Sequence, residues 1–263
     1  MPANQVAADW LDDLQSTGRY TFTTEVVGAA IKRSPAATRA ALRRLISKGR
    51  IVSPRRGFHV IVPPEYRISG SPPASWFVDD LMGYLGQPYY VGLLSAAAIH
   101  GAAHQQPMVF QVVTDKPTRP VTAGKVTLEF LMSSVVARMP VASIQTETGT
   151  MRVATPETTA FDLIRYRSAA GHLDNVATVL RELAEQLDAA ALVAVAELLR
   201  LPDAQRLGFM LDAIGEGRLA DSLAAWLAAR SPRAVPLVPG RGARVAAGNR
   251  WCVGPNVDPD GDL

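Results

Sequence analysis

Cysteine is nearly absent from this sequence of 263 residues, since Cys252 is the only one. A single thiol cannot close a disulfide within the chain, which excludes a small disulfide-stabilised fold and favours a reducing compartment. Long apolar runs are missing as well. The longest, around residues 189–201, is interrupted by Glu197 and is shorter than the roughly 20 residues of a membrane span. With no basic and apolar leader at its start, the sequence predicts a soluble, cytoplasmic protein without a membrane partner.

Acidic residues are missing from one segment of the chain. Between residues 32 and 56 there is none, whereas nine of the 27 Lys and Arg residues lie there. Residues 1–67 hold 11 basic and 5 acidic residues, a net charge of +6, and residues 68–263 hold 16 and 19, a net charge of −3. The overall charge of +3 therefore hides two regions of opposite sign. Because clustered cations attract phosphate, the first region is favoured as a nucleic-acid contact.

Proline and glycine divide the chain. Residues 62–73 contain two Pro-Pro pairs, which continue neither a helix nor a sheet. The predicted fold class is α+β, with an N-terminal winged helix-turn-helix domain followed by a mixed α/β domain that has a helical C-terminal part. The predicted boundaries are 1–67 for the DNA-binding domain, 68–74 for a Pro-rich linker and 75–263 for the larger domain.

The winged helix-turn-helix prediction depends on local signals within residues 1–62. Helices are expected over residues 7–14 and 25–31, the second capped by Thr23 or Thr24. A third helix begins at Ser34-Pro35 and stops at Gly49, with Ala41, Leu42, Leu45 and Ile46 as its apolar stripe. Two short strands, 50–52 and 58–62, flank a turn that contains Arg55 and Arg56.

The third helix is the expected reader of DNA sequence. Arg39 and Arg43 lie one turn apart, opposite Leu42 and Leu45, and an arginine can donate two hydrogen bonds to guanine in the major groove. The helix N-terminus suits a phosphate, and the hairpin tip can reach the DNA backbone or a minor groove. His59 in the hairpin is a further expected phosphate contact. The predicted DNA-binding residues are Lys32, Arg33, Ser34, Arg39, Arg43, Arg44, Lys48, Arg55 and Arg56.

Two less specific interpretations of the basic segment stay open. One is a solvated basic helix face, and the other is a small winged domain that contacts protein rather than DNA.

From residue 75 onward the pattern is that of a larger mixed domain. The sequence predicts helices over 76–85 and 91–100 and strands over 108–114, 126–132, 141–146 and 150–153. Thr155-Pro156 opens a helix through Tyr166, and a run of helices follows from 174 to 230, with Asp174, Asp188 and Asp203 as expected N-caps. A last short apolar piece lies at 251–253.

No enzyme is predicted from these residues, and neither a cofactor nor a metal is expected. His100 and His104 have metal-ligand spacing, but a glycine follows His100 and no carboxylate lies between them. A nuclease site needs an acidic residue on one strand and Glu-x-Lys on the next. Asp115 and Glu129 fit the acidic positions, but residue 131 is Leu where the lysine is needed. Neither a phosphate-binding glycine loop nor a nucleophilic serine motif is present.

Two stretches of the larger region resemble the AbiEi family of antitoxins. They are YVGLLSAAAIHG at residues 90–101, followed by VFQVVT at 109–114, and TPETTAFDLI at 155–164. The resemblance runs from about residue 21 to 175 and includes the order of a winged helix before a larger domain. It implies a type IV toxin–antitoxin system, in which the N-terminal domain binds double-stranded operator DNA with inverted repeats and represses its own operon.

The resemblance also implies a second activity and a partner. The C-terminal domain is expected to counter a cognate nucleotidyltransferase-like toxin without forming a stable complex. Inverted repeats imply two copies of the chain on DNA. Arg165 and Arg167 leave two readings open, since each can lie on the surface or face the substrate of the toxin. The role of residues 239–263 stays open as well.

Two other functions remain alternatives. One is a ligand-responsive transcriptional repressor without a toxin, whose larger domain binds a small molecule. The other is a DNA-processing enzyme. A neighbouring gene for a nucleotidyltransferase-like protein favours the antitoxin, whereas metal-dependent cleavage of DNA favours the enzyme.

Overall fold

The α+β class is confirmed by a computed structural model, which describes residues 3–102, 108–240 and 248–256. The helices are α1 (Ala3–Ser16), α2 (Thr24–Ile31), α3 (Pro35–Ser47), α4 (Val78–Leu85), α5 (Leu93–Ile99), α6 (Pro156–Arg165), α7 (His172–Leu183), α8 (Ala189–Ala196), α9 (Leu201–Ala213) and α10 (Asp221–Ala228). The strands are β1 (Thr21–Thr23), β2 (Ile51–Arg55), β3 (Phe58–Ile61), β4 (Tyr89–Val91), β5 (Phe110–Thr114), β6 (Val121–Ala123), β7 (Val126–Met132), β8 (Val141–Thr146), β9 (Gly149–Ala154), β10 (Val235–Pro236) and β11 (Val253–Gly254). Among the described residues, no helix is both long and apolar enough to cross a membrane.

The chain forms two compact units, and each is built from three separate segments of the sequence. The first unit consists of Met1–Tyr89, Met108–Ser134 and Ser143–Arg152. The second consists of Tyr90–Pro107, Val135–Ala142 and Val153–Leu263.

The N-terminal part of the first unit combines α1, α2 and α3 with a small antiparallel sheet. Its strand order is β1-β3-β2, with Phe22 opposite His59. The caps predicted from sequence are confirmed, because the hydroxyls of Thr23 and Ser34 accept hydrogen bonds from the first turns of α2 and α3. Apolar residues from all six elements share one core: Ala7, Leu11, Phe22, Val27, Ile31, Ala41, Leu42, Leu45, Ile51 and Ile61. Of the predicted α3 stripe, Ile46 is the exception and is 42% exposed.

Parallel and antiparallel pairing both occur in the rest of the first unit. Strand β5 pairs parallel to β7 and β6 pairs antiparallel to it, within a sheet of order β6-β7-β5-β4-β9-β8. The Pro-rich stretch lies against the turn between β6 and β7, where the Lys125 amide donates to the Ser69 carbonyl at 2.7 Å. Gly124 in that turn has φ +57°, and a Cβ there would lie 2.3 Å from the Ser69 oxygen. Only glycine therefore allows this approach.

The helix predicted over residues 91–100 is wrong in its first part. Tyr89–Val91 form strand β4, and α5 begins only at Leu93. All of β4 is buried, and aromatic and β-branched side chains suit a buried strand. Gly92 is extended, and Leu93 has φ +49°, so the backbone changes direction between strand and helix.

The second unit is mainly helical. Thr155 caps α6, and the Asp188 carboxylate caps α8 by accepting from the Ala191 amide at 2.8 Å, both as predicted. The caps predicted at Asp174 and Asp203 are wrong, since both lie inside the first turn of their helices. A carboxylate in the first turn is still favoured by the helix dipole.

Residues 248–256 pack back onto α9 in the second unit. Trp251 is fully buried, and its indole N–H donates to Asp212 at 2.6 Å. Its ring occupies the space beside Gly208, where a Cβ would lie 2.1 Å from the nearest ring carbon. Arg250 donates to Asp212 at 2.5 Å and to Asp221 at 2.5 Å. This part of the C-terminal segment therefore completes the helical core.

Candidate functional site

The face of α3 that points away from the core is basic. Its N-cap, Ser34, accepts from the Ala37 amide at 3.3 Å, and Pro35 occupies the first turn. Thr38, Ala41, Leu42 and Leu45 bury the opposite face. Arg39 and Arg43 are exposed as a consequence, one turn apart. The exposed side of α3 therefore carries Arg39, Arg43 and Arg44, and the helix contains no acidic residue.

Most residues predicted to contact DNA lie on the surface of the first unit. Lys32 has φ +48° at the end of α2, and this left-handed turn directs the chain into α3. Arg55 differs from the others, because it is half-buried and its guanidinium donates to the Arg119 carbonyl at 2.7 Å. The exposed residues are Lys32, Arg33, Ser34, Arg39, Arg43, Arg44, Lys48 and Arg56.

A cleft lies between the start of α2, the first half of α3 and the hairpin tip, and we call it the α2–α3–tip cleft. Its volume is about 630 Å³. Three arginines, Arg33, Arg39 and Arg56, line it together with one carboxylate, Glu25. The other lining residues are Thr24, Gly28, Pro35, Thr38, Gly57 and Tyr84.

The hairpin tip is held in place by hydrogen bonds from two directions. The Thr24 amide donates to the Gly57 carbonyl at 2.9 Å. The Tyr84 hydroxyl donates to the Arg56 carbonyl at 2.9 Å. Gly57 has φ +85°, a conformation that favours glycine, and a Cβ there would lie 2.6 Å from the Tyr84 hydroxyl oxygen. Arg56 is therefore presented from a defined backbone position.

His59 does not reach the surface, contrary to the expectation that it contacts phosphate. It is buried, with the Thr24 hydroxyl 2.9 Å from Nε2 and the Ser53 hydroxyl 2.7 Å from Nδ1. Burial lowers the pKa of His59 to about 4, so the ring is neutral at physiological pH. The sequence offered no signal for this, because all four residues of β3 are buried, and a hairpin exposed on one face would bury only alternate residues.

Glu25 has a different electrostatic environment. It is exposed on the first turn of α2. Hydrogen bonds from its own backbone N–H and from the Thr23 hydroxyl lower the pKa of its carboxyl. The carboxylate therefore stays ionised beside the arginines of the cleft.

A second group of polar side chains is buried in the second unit, and we call it the Asp162 cluster. Asp162 on α6 is fully buried, as is Tyr90 on β4. Arg165 lies with its Nη1 atom 3.3 Å from Asp162 Oδ1 and its Nε atom 3.9 Å from Asp203 Oδ2. Asp203 also pairs with Arg206 at 3.9 Å.

Burial dominates the ionisation of this cluster. It raises the pKa of Asp162 to about 7, against the opposing effect of Arg165. It also raises the pKa of the Tyr90 hydroxyl, with Asp162 adding to the effect. Sequence reasoning missed the cluster because Asp162 stands within an otherwise apolar stretch. One signal was available: Tyr90 and Asp162 lie in the two stretches that resemble the AbiEi family, at residues 90–101 and 155–164.

The sequence leaves open whether Arg165 and Arg167 lie on the surface or face the substrate of the toxin. Arg165 is half-buried and paired within the Asp162 cluster, so its guanidinium is engaged with the protein itself. Arg167 is half-buried as well. Arg200 is the most accessible cation here, with 85% of its side chain exposed and its Nε atom 3.7 Å from Asp203.

His100, one of the two histidines with metal-ligand spacing, forms a hydrogen bond within the protein. His100 donates its Nε2–H to the Ala154 carbonyl at 2.7 Å, which is a structural contact. His104 lies outside the described residues. Within the described part of the chain, no group of three or more His, Cys, Asp or Glu side chains is arranged to hold a metal ion.

Comparison with solved structures identifies a similar fold. The crystal structure of the RV2827C protein from Mycobacterium tuberculosis superposes with a TM-score of 0.68, covering 95% of this chain and 90% of that one. The two sequences are 16% identical, so the similarity concerns the fold alone. No curated protein matches the sequence.

Comparison with protein families gives a match, which covers residues 90–213. These residues match the AbiEi antitoxin C-terminal domain, and the match includes Tyr90, Asp162, Arg165 and Asp203. The chain therefore carries a domain of the AbiEi antitoxin C-terminal type at residues 90–213.

Proposed function

We propose that this protein is an antitoxin that also binds operator DNA and represses its own operon. Residues 1–67 act as the winged helix-turn-helix domain, residues 68–74 as the linker, and residues 75–263 counter a nucleotidyltransferase-like toxin. The AbiEi antitoxin domain at residues 90–213 supports a role in a toxin–antitoxin system. Two copies of the chain bind the two halves of an inverted repeat.

The basic outer face of α3 is the observation that carries the DNA-binding proposal. A major groove is wide enough for one helix, and Arg39 and Arg43 lie on the face that would enter it. Three helices followed by a β-hairpin match the order of elements in a winged helix-turn-helix. Arg56 at the hairpin tip is exposed and suits a phosphate contact, which positions the protein without specifying sequence.

Different DNA-binding effects are expected for Arg43 and Arg56. Arg43→Ala should weaken binding to the operator and relax discrimination at one base pair by about 1–3 kcal/mol, because a base contact is lost. Arg56→Ala should weaken binding to every duplex about equally and reduce the salt slope by about 1, because a phosphate contact is lost. Fluorescence anisotropy with the DNA upstream of the gene and with single-base variants measures both effects.

Arg19→Ala is a matched control for these variants. Arg19 is an exposed arginine that lies before α2, away from α3 and the hairpin tip in sequence. Removing it changes the net charge equally, and we expect a smaller loss of affinity. If the intact protein bound no duplex at low salt, the DNA-binding proposal would fail.

Antitoxic activity is expected to be separable from DNA binding. Co-expression of the full chain should restore growth to cells arrested by a co-encoded nucleotidyltransferase-like toxin. The Arg43→Ala variant should restore growth equally well while losing repression of an operon reporter, since the two activities are assigned to different regions. Growth curves and reporter activity in the same cells test this. Loss of both activities in Arg43→Ala would refute the assignment.

A further inference from the structure

The α2–α3–tip cleft has a defined place in the proposed DNA complex. If α3 occupies a major groove and the hairpin tip reaches the neighbouring minor groove, the sugar-phosphate strand between the two grooves must pass between these elements. The cleft lies there, with Arg39 on the α3 side and Arg56 on the tip side. We propose that this cleft holds a phosphate of that strand, and that Glu25 on its rim weakens the contact. This inference rests on the proposed DNA binding.

The attraction comes from guanidinium groups rather than from a helix end. The Thr24 amide is already bonded to the Gly57 carbonyl, and the Val26 amide donates to the Thr23 hydroxyl at 3.4 Å. Within the described ranges of the chain, the side chains of Arg39 and Arg56 form no ion pair with a carboxylate. Other arginines nearby are engaged: Arg50 pairs with Asp12, and Arg55 donates to the Arg119 carbonyl. Arg39 and Arg56 are therefore available to an incoming anion.

The shape of the cleft supports a fixed site. The Tyr84 hydroxyl holds the Arg56 backbone, and the Phe58 ring packs on the Tyr84 ring with centroids 5.4 Å apart. Arg39 projects from the first half of α3, where the N-cap at Ser34 fixes the start of the helix. Both cations thus project from anchored backbone, which lowers the entropy lost when they bind a phosphate.

Glu25 is the one carboxylate among the residues that line the cleft. Its charge repels a phosphate held by the neighbouring arginines, and the repulsion applies to every DNA sequence alike. Since phosphate contacts carry no sequence information, the carboxylate lowers overall affinity and leaves discrimination to the base contacts of α3. Glu25 is therefore an opposing charge within the DNA-binding surface.

The test compares Glu25→Gln with Glu65→Gln in the full-length protein. Glu65 is an exposed carboxylate of the same unit that does not line the cleft, so both variants remove one negative charge. Glu25→Gln should bind both the operator and an unrelated duplex about three- to tenfold more tightly at low salt. The gain should shrink as salt is added, because exposed charges are screened. Glu65→Gln should change the affinity less than twofold.

The outcomes separate the two proposals. An increase in affinity cannot result from unfolding, so a destabilised variant does not imitate the expected result. If the wild-type protein binds duplex but the two variants behave alike, the phosphate site is refuted and DNA binding stands. If the wild-type protein binds no duplex, both proposals fail.

A calorimetric titration of ATP into the DNA-free protein separates duplex phosphate from a free phosphorylated molecule. We expect no saturable binding. Saturable binding that is abolished in Arg56→Ala would assign the cleft to a free phosphorylated molecule and overturn the inference.

Discussion

Replacing Trp251 with alanine is expected to lower the free energy of unfolding by about 3–5 kcal/mol, the range for removing a large aromatic side chain from a core. The side chain is 0% exposed, and its indole N–H donates to Asp212 at 2.6 Å. The Trp251 carbonyl also accepts from the buried Gln205 amide at 2.9 Å, so the segment is bound through its backbone as well. Urea denaturation followed by circular dichroism measures the loss.

The reciprocal change tests the same contact from α9. Gly208→Ala places a Cβ 2.1 Å from the nearest carbon of the Trp251 ring, so the ring or the helix must move. We expect a loss of about 1–3 kcal/mol from overpacking. This is opposite in sign to the gain of up to about 1 kcal/mol that alanine normally brings to a helix interior.

Gly83→Ala provides the matched control for this change. Gly83 lies within α4, and a Cβ there would meet nothing within 4 Å. It should show the ordinary small gain. If Gly208→Ala were tolerated as well as Gly83→Ala, the position of Trp251 against α9 would be wrong.

A pH-dependent difference in stability is expected between the wild-type protein and Asp162→Asn. The pKa of Asp162 is raised to about 7 by burial, so the folded state binds this proton more tightly than the unfolded chain does. Its contribution to stability is complete below the unfolded pKa of about 4 and is lost as the pH rises towards 7. Asparagine cannot titrate. The stability of Asp162→Asn relative to wild type should therefore rise by about 2–3 kcal/mol between pH 5 and pH 8.

Urea titrations of both proteins at several pH values measure this difference. Comparing the two proteins cancels groups that titrate equally in both. Infrared spectra should show a protonated carboxyl in the wild type at pH 5 that is absent from Asp162→Asn. A difference in stability that does not change from pH 5 to pH 8 would mean that Asp162 is ionised throughout. The charge of Arg165 and the hydrogen bond from Tyr90, which both lower the pKa of Asp162, would then outweigh burial.

Local structure at helix starts was predictable from sequence because its causes are local. Ser34-Pro35 and Thr155-Pro156 each place a hydroxyl one residue before a proline, and the hydroxyl bonds an amide of the first turn wherever the helix lies. Asp174 and Asp203 show the limit of this reasoning. A carboxylate is favourable both at the N-cap and in the first turn of a helix. In both helices it lies in the first turn, a choice that depends on packing and not on local sequence.

The exposure of the candidate DNA-binding residues on α3 was predictable for a related reason. Arg39 and Arg43 follow from the helical repeat once Leu42 and Leu45 are assigned to the core. The convergence of Arg39 and Arg56 with Glu25 was not predictable. It depends on how the hairpin tip is positioned beside α2, which the Thr24–Gly57 and Tyr84–Arg56 hydrogen bonds fix across long sequence separations.

The places where charge concentrates and where the capped helices begin follow from the amino-acid sequence alone, because both depend on neighbouring residues. The sequence also carried the two stretches that point to the AbiEi domain. Packing between distant segments places Tyr90 on a strand, buries His59 and Asp162 and sets Trp251 beside Gly208. Each of these depends on which distant segments exclude water from a side chain, and burial is a property of the whole packed unit.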